Sequence, residues 1–402
     1  MYDLRLTPEQ LEFRETVRDF VEREVKPAAL NPRRLEPFEK PLLATALDQA
    51  AQMGLRTLGL SEEAGGAGAD TLTACIVMEE LGAGDVDLAM VLAQTSTLAH
   101  VLFDRLMKPE QRKRFLPDFV KDDGYHLAYA GSDPGAGLGW SYHRPLAESG
   151  AMPVAVKQGN DWVIHGTVPF VANATVAKLF AVQAQTGTSG RITLLVPRAT
   201  PGLTVREPPK AVGEVIRWHH GAGAGLTFKD CRVPGDQVLG EAGLGAALAR
   251  GVPPLAAVNL GLGRAAFEAA VDYARLRRQG GRNIIEHQAI GTKLADCAIK
   301  LELARNMIWK AAWTLDHPGA VADRSVSDLP LHAIARVHTA QAVNEVALLA
   351  AECFGAMGVM RDMPLQKYVH DSMVFLHSED TDGAAKLQIA EAVAGYQRPL
   401  AA

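Results

Sequence analysis

Along the 402-residue chain the spacing of apolar and polar positions changes period twice. Near the start, Thr7 can cap a helix with Pro8 in its first turn. Leu11, Val17, Phe20 and Val21 then recur at roughly helical spacing through Val25. A second helical pattern covers 42–53 and ends at Gly54; after the glycine-rich stretch 65–68, residues 72–81 and 88–106 read as further helices. From Tyr125 the pattern shifts to short β-prone runs at 162–164, 179–182, 192–196, 203–205 and 226–228, punctuated by Gly, Pro, Asn and Asp. Beyond Leu244, long alanine- and leucine-rich segments return at 255–279, 287–315, 331–354 and 384–396, and four long helices suit an antiparallel bundle. The pattern predicts a mostly α protein with a central β domain. Its parts are an N-terminal helical domain over 1–125, a β-barrel or sandwich middle domain over 126–241 and a C-terminal four-helix bundle over 242–402.

Composition narrows the function. A chain this long with 48% hydrophobic and 22% charged residues can bury a large core, which sets disorder aside. The net charge of −5 is spread along the chain without a basic block, so nucleic acid is not an expected partner. The first fifteen residues are charged and lack an apolar signal core, and no uninterrupted apolar run of about 18 residues stands out. A cytoplasmic protein with no membrane insertion is expected. Cys75, Cys231, Cys297 and Cys353 are far apart, form no C-x-x-C pair and read as buried thiols. Among twelve histidines, His219 with His220 and His370 with His377 are the obvious metal candidates, but no H-E-x-x-H or comparable ligand spacing surrounds them, so no metal is expected. A Gly-x-Ser-x-Gly elbow is absent, and the glycines at 135–137 and 355–358 do not form G-x-G-x-x-G between a strand and a helix.

Five segments carry chemistry. Residues 127–137 read Leu-Ala-Tyr-Ala-Gly-Ser-Asp-Pro-Gly-Ala-Gly, and 161–173 form a β-prone run ending Phe170, Val171, Ala172, Asn173. Residues 228–234 read Phe-Lys-Asp-Cys-Arg-Val-Pro, with Gly240 shortly after. Residues 273–281 read Tyr-Ala-Arg-Leu-Arg-Arg-Gln-Gly-Gly, followed by Gln288, and 352–358 read Glu-Cys-Phe-Gly-Ala-Met-Gly, followed by Asp371 and Glu379. In order and content these segments resemble the acyl-CoA dehydrogenase flavoproteins over essentially the whole chain.

That resemblance implies an FAD enzyme. It assigns Tyr129, Ser132 and Gly137 to the flavin-contacting signature, Phe170 and Ala172 to the turn beside the flavin ring, and Arg277 and Gln288 to the FAD pyrophosphate and adenylate across a dimer interface. Arginine suits phosphate because its planar fork donates two hydrogen bonds. Glu352, Gly355 and Thr381 complete the implied cofactor set. Glu379 is implied as the base that takes the α proton of an acyl-CoA thioester while hydride leaves the β carbon for flavin N5. A homotetramer and an electron-transferring flavoprotein partner are implied as well.

The chain departs from the family pattern at several of these positions. Phe170 replaces Trp, Ala172 a hydroxyl residue, Gly280 Phe, Glu352 Gln and Asp380 Gly, and Pro253 and Pro254 occupy the neighbourhood of an expected arginine. These changes point to an unusual acyl group, cyclic or branched. Two alternatives stay open: a weakly catalytic or non-catalytic supporting subunit of a heteromeric acyl-CoA dehydrogenase, and a flavin-dependent monooxygenase on the same scaffold. Without the resemblance, Glu379 reads as part of a solvated polar cluster, Ser132 as a turn hydroxyl, and Arg277 with Arg278 as charges opposing a helix dipole.

Overall fold

The computed structural model describes residues 5–31, 42–131, 152–187, 190–206, 219–240, 248–360, 362–377 and 381–395. Helix α1 (Pro8–Phe20) starts on a capping box: Thr7 Oγ1 accepts the Gln10 N–H at 3.1 Å, and Gln10 Oε1 accepts the Thr7 N–H at 3.0 Å. Helix α2 (Ala44–Gln52) stops just before Gly54, whose φ of +82° a side chain would disfavour. Helices α3 (Thr71–Gly84) and α4 (Val86–Ala99) are buried on nearly every side. Asp70 and Asp85 cap them, accepting the N–H groups of Thr73 at 2.7 Å and Leu88 at 3.1 Å. Helix α5 (Pro109–Lys121) escapes the sequence pattern because it buries only Gln111, Phe115 and Phe119 and is otherwise densely charged.

The middle region is one eight-stranded sheet. It comprises β1 (His126–Ala130), β2 (Val154–Gln158), β3 (Asp161–Val171), β4 (Ala177–Thr186), β5 (Gly190–Pro197), β6 (Leu203–Arg206), β7 (Ala224–Val233) and β8 (Val238–Leu239). The strand order is β6-β7-β3-β2-β4-β5-β8, with β1 pairing in parallel with β4. The two-residue period of a strand divides its side chains between two cores. Ala128, Phe180, Val182, Leu194 and Val196 pack within the sheet's own core, whereas Leu127, Leu179, Ala181 and Leu195 pack with Leu102, Phe103 and Phe119 of the N-terminal helical region.

The C-terminal region comprises α6 (Val252–Leu276), a hairpin of β9 (Arg278–Gln279) and β10 (Arg282–Asn283), α7 (Gln288–Asp316), α8 (Leu331–Phe354), α9 (Leu365–His377) and α10 (Thr381–Val393). The expected bundle of four helices thus gains a fifth, α9. Its pattern is masked because polar side chains on its inner face are buried as ion pairs. Lys367 Nζ lies 2.5 Å from Asp371 and 3.7 Å from Asp85 at the α4 cap, and His220 Nδ1 meets Asp87 at 3.3 Å. Burial alone would lower the Lys367 pKa, but the carboxylates of Asp371, Asp85 and Asp87 push it well up.

Two segments, Val86–Leu106 and Leu331–Val359, are helical, long and apolar enough to cross a membrane. Neither is an uninterrupted apolar run, because Thr, Ser, Gln and Asn are interspersed. In this fold 83% and 50% of the respective apolar windows are buried.

The first and last helical regions share one core, running from Val17 to Tyr368. Its closest approach is where α3 crosses α6. A Cβ on Gly82 would lie 2.2 Å from the Val258 carbonyl oxygen, and a Cβ on Gly261 would lie 2.1 Å from the Glu79 carbonyl oxygen. Beside this crossing Glu80 accepts Arg18 Nε at 3.1 Å and Nη2 at 2.8 Å, and Arg264 Nη2 at 2.6 Å. Glu79 accepts Arg305 Nε at 3.1 Å and Nη2 at 2.8 Å. These forked contacts hold two buried carboxylates that would be costly alone. Gly261→Ala is expected to lower the unfolding free energy by roughly 1–3 kcal/mol despite the better helix propensity of alanine, because the methyl meets backbone that cannot move alone. Urea denaturation checks this, and an unchanged midpoint would mean the helices separate at little cost.

Candidate active site

A cavity of about 190 Å³ opens where the sheet meets the helices. Gln94, Thr97 and Leu98 of α4 line it with Tyr129 of β1, Ala172 just beyond β3, and Leu248, Gly251, Val252 and Leu255 at the start of α6. Pro253 and Pro254 occupy the first turn of α6, where a missing N–H breaks no helical bond, so they start this wall rather than distort it. Gly251 has no room for a Cβ, which would sit 2.9 Å from Thr97 Cγ2. Tyr129 closes the other side: its hydroxyl lies 2.2 Å from where a Cβ on Gly131 would stand.

Asn173 fixes the position of Ala172. Its φ of +63° is one that asparagine tolerates better than most residues. Its buried amide donates to the Val91 carbonyl at 3.1 Å, Thr95 Oγ1 at 3.2 Å and the Leu127 carbonyl at 3.3 Å, tying β3 to α4 and β1. Thr95 in turn meets His126 Nδ1 at 3.1 Å. Burial, with help from the nearby Arg56 and Lys178 cations, lowers the His126 pKa to about 4, so the ring is neutral at pH 7. On β3, just before Ala172, Phe170 packs against His219 with ring centroids 4.2 Å apart and planes tilted by 51°, and it fills the space a Cβ on Gly223 would need.

A second group of predicted residues gathers at the far end of α6. Arg277 follows the last turn of α6, Gln288 begins α7, and Glu352 and Gly355 lie at the end of α8. Stacking of Tyr273 on Phe354, 4.1 Å between centroids, and pairing of Lys293 with Glu352 hold these helix ends together. Arg278 belongs to the β9–β10 hairpin and not to the helix end read from the sequence. Gly280 and Gly281, at φ +62° and +84°, form its two-residue turn, which explains glycine at position 280. Arg277, Arg278 and Arg282 are exposed, and the first turn of α7 carries no acid and no capping side chain. A helix start of that kind, preceded in the chain by these three arginines and by one acid, Glu286, suits a phosphate.

The two groups are remote. At 1.5 Å per residue the 25-residue α6 spans about 37 Å, more than an extended dinucleotide reaches. A larger cleft of about 850 Å³ between 100–106 and 311–332 includes none of the residues singled out in the sequence.

Residues 7–123 match the acyl-CoA dehydrogenase N-terminal domain model, and 244–394 match the C-terminal domain model. The chain is 30% identical to the mitochondrial short-chain specific acyl-CoA dehydrogenase of Bos taurus, over 94% of this chain and 88% of that protein. It is also 30% identical to the short-chain specific acyl-CoA dehydrogenase of Clostridium acetobutylicum, over 96% and 98%. It belongs to the acyl-CoA dehydrogenase family. The butyryl-CoA dehydrogenase structure from Megasphaera elsdenii shares the fold at a TM-score of 0.82 and 25% identity, covering 98% of this chain and 100% of that one.

Of the residues that the family resemblance singled out, Tyr129 and Ala172 line the cavity, Phe170 stands on the adjoining strand, and Arg277, Gln288, Glu352 and Gly355 share the far end of the bundle. Ser132, Gly137 and Glu379 lie outside the described residues, as does the side chain of Thr381, whose backbone begins α10. Sequence reasoning missed Gln94 and Thr97. They sit in a run of four polar residues, Gln94 to Thr97, in which the sequence does not separate those facing the cavity from the buried Thr95 and Ser96.

The neutral, buried His126 sets a pH dependence. Its folded pKa lies below the unfolded value of about 6.5, so the unfolded chain binds the proton first, and stability is lost as pH falls from about 6.5 to about 4. The loss attributable to this ring is roughly 3 kcal/mol. His126→Gln cannot titrate and should lose correspondingly less across that window in urea unfolding; equal losses in both proteins would exonerate the imidazole.

Proposed function

We propose that this protein is an FAD-dependent acyl-CoA dehydrogenase that introduces an α,β double bond into an acyl-CoA thioester. The observation that carries this reading is the pairing of a small apolar cavity beside Tyr129 and Ala172 with a cationic, uncapped helix end at Arg277 and Gln288. The first suits an acyl group, and the second suits a diphosphate. Family membership supplies the reaction class.

The donor set fits FAD. Arg277 would grip the pyrophosphate, Gln288 and the Gly355 turn the adenylate half, and the Tyr129 and Phe170 strands the ring. Bound FAD supplies the acceptor for the hydride from the β carbon. Glu379, between α9 and α10 in sequence, takes the α proton. Lys293 pairs with Glu352 and offsets its charge at this end of the bundle.

The length of α6 supports a dimer, in which the bundle end of one protomer serves the cavity of its partner. Leu276 and Val359, 81% and 76% exposed, lie at that bundle end and offer apolar surface for such a contact. A tetramer of two such dimers and an electron-transferring flavoprotein as acceptor complete the reading.

Anaerobic titration with acyl-CoAs tests the reaction directly: the yellow protein should bleach with at least one thioester. A colourless protein that cannot be reconstituted with FAD would sink the catalytic reading. Glu379→Gln should slow flavin reduction by about 10²–10⁴-fold while FAD stays bound. Arg277→Ala should weaken FAD binding about tenfold or more, read from the fluorescence of released flavin. Unchanged affinity would remove Arg277 from the cofactor site.

A further inference from the structure

The His219–His220 pair, a metal candidate in the sequence, lies between β3 and α9. Both ring nitrogens of His220 meet protein oxygens. Nε2 donates to the Asp371 carbonyl of α9 at 3.0 Å, and Nδ1 lies 3.3 Å from Asp87 Oδ1 of α4. The ring is buried and packs on Phe375, with centroids 4.4 Å apart and planes tilted by 40°. Phe375 stands two residues before His377, where α9 ends, and Glu379 follows His377 by two positions in the sequence. Near the start of the same helix, Lys367 is held separately, by Asp85 and Asp371.

The strip that carries the pair is fixed at three further points. Asp87 Oδ1 also accepts the Gly221 N–H at 3.0 Å. The Ala222 carbonyl accepts both the N–H and the hydroxyl of Thr175, each at 3.0 Å, two residues beyond Asn173. His219 packs on Phe170, two residues before Ala172 in the cavity wall. Residues 219–222 therefore tie the end of β3, with its implied flavin contacts, to the half of α9 that leads to the candidate base.

We propose that His220 is a positioning residue for the dehydrogenation: it holds the C-terminal half of α9 against the Phe170–Ala172 wall, and through it the approach of Glu379 to the α proton. The proposal rests on the acyl-CoA dehydrogenase reading with Glu379 as base. A misplacement of about 1 Å can cost about 10²-fold in rate without changing what is bound. Loss of His220 acts on the chemical step and spares affinity.

The test uses the FAD-loaded protein and whichever of butyryl-, isobutyryl- and octanoyl-CoA bleaches it fastest. Stopped-flow flavin reduction gives the limiting rate and the half-saturating thioester concentration. His220→Leu should lower the limiting rate by about 10–10²-fold and leave half-saturation and bound FAD within about threefold. His220→Gln, whose amide can still donate to the Asp371 carbonyl, should be reduced faster than His220→Leu, and it serves alone if the leucine variant does not fold. In a Glu379→Gln background, either substitution should slow reduction further by less than about twofold, because two residues acting through one proton transfer do not add. A wild-type rate in both His220 variants, or their full loss repeated on top of Glu379→Gln, would overturn the proposal and leave the dehydrogenase reading standing. A wild-type flavin that no acyl-CoA reduces would overturn that reading, and this one with it.

Discussion

Everything else in this fold hangs on the crossing of α3 and α6, where two glycines let backbone touch backbone. Gly82 and Gly261 each face a carbonyl of the other helix at a distance no side chain allows. The approach is close enough to bring Glu79 and Glu80 under the guanidinium groups of Arg18, Arg264 and Arg305, so a steric constraint creates an electrostatic one. The paired charges then fix the rotation of four helices about one another. Because α6 starts at the acyl cavity and ends at the cationic helix end, the crossing places both.

Much of this architecture is legible in the sequence because its signals are local. The capping box at Thr7, the stop at Gly54 and the apolar runs of β3, β4 and β5 each depend on a few neighbouring residues. Helix α9 is not legible for the opposite reason. Lys367 and Asp371 look like surface residues until Asp85 and His220, remote in sequence, are brought against them. Helix α5 and strands β1 and β2 are also hard to read, since the strands are short and the helix is mostly charged.

The candidate site divides in the same way. Arg277, Gln288 and Gly355 are findable because helix ends and turns have recognisable chemistry, and the structure gathers them. Gly280 looks like the loss of an aromatic contact in sequence, whereas the hairpin shows it meeting a backbone requirement. Asn173 reads only as the last letter of a motif; its three donated bonds to α4 and β1 become visible in three dimensions. Gln94 and Thr97 carry almost no signal, because a polar residue in a buried helix gains meaning only from the space it faces.

The partners at the α3–α6 crossing lie about 180 residues apart in the chain. At roughly 5–20 residues per second of synthesis, Gly82 waits about ten to forty seconds for Gly261 to be made. During that interval α3 and α4 have no α6 to cover them, and the 86–106 segment, apolar enough for a bilayer, is without much of its burial. A core closed by contacts so distant in sequence carries a large loop-closure cost before it gains any packing. The nascent chain therefore presents an adhesive N-terminal half, and holding it apart from neighbouring chains until the bundle emerges is work that falls to chaperones.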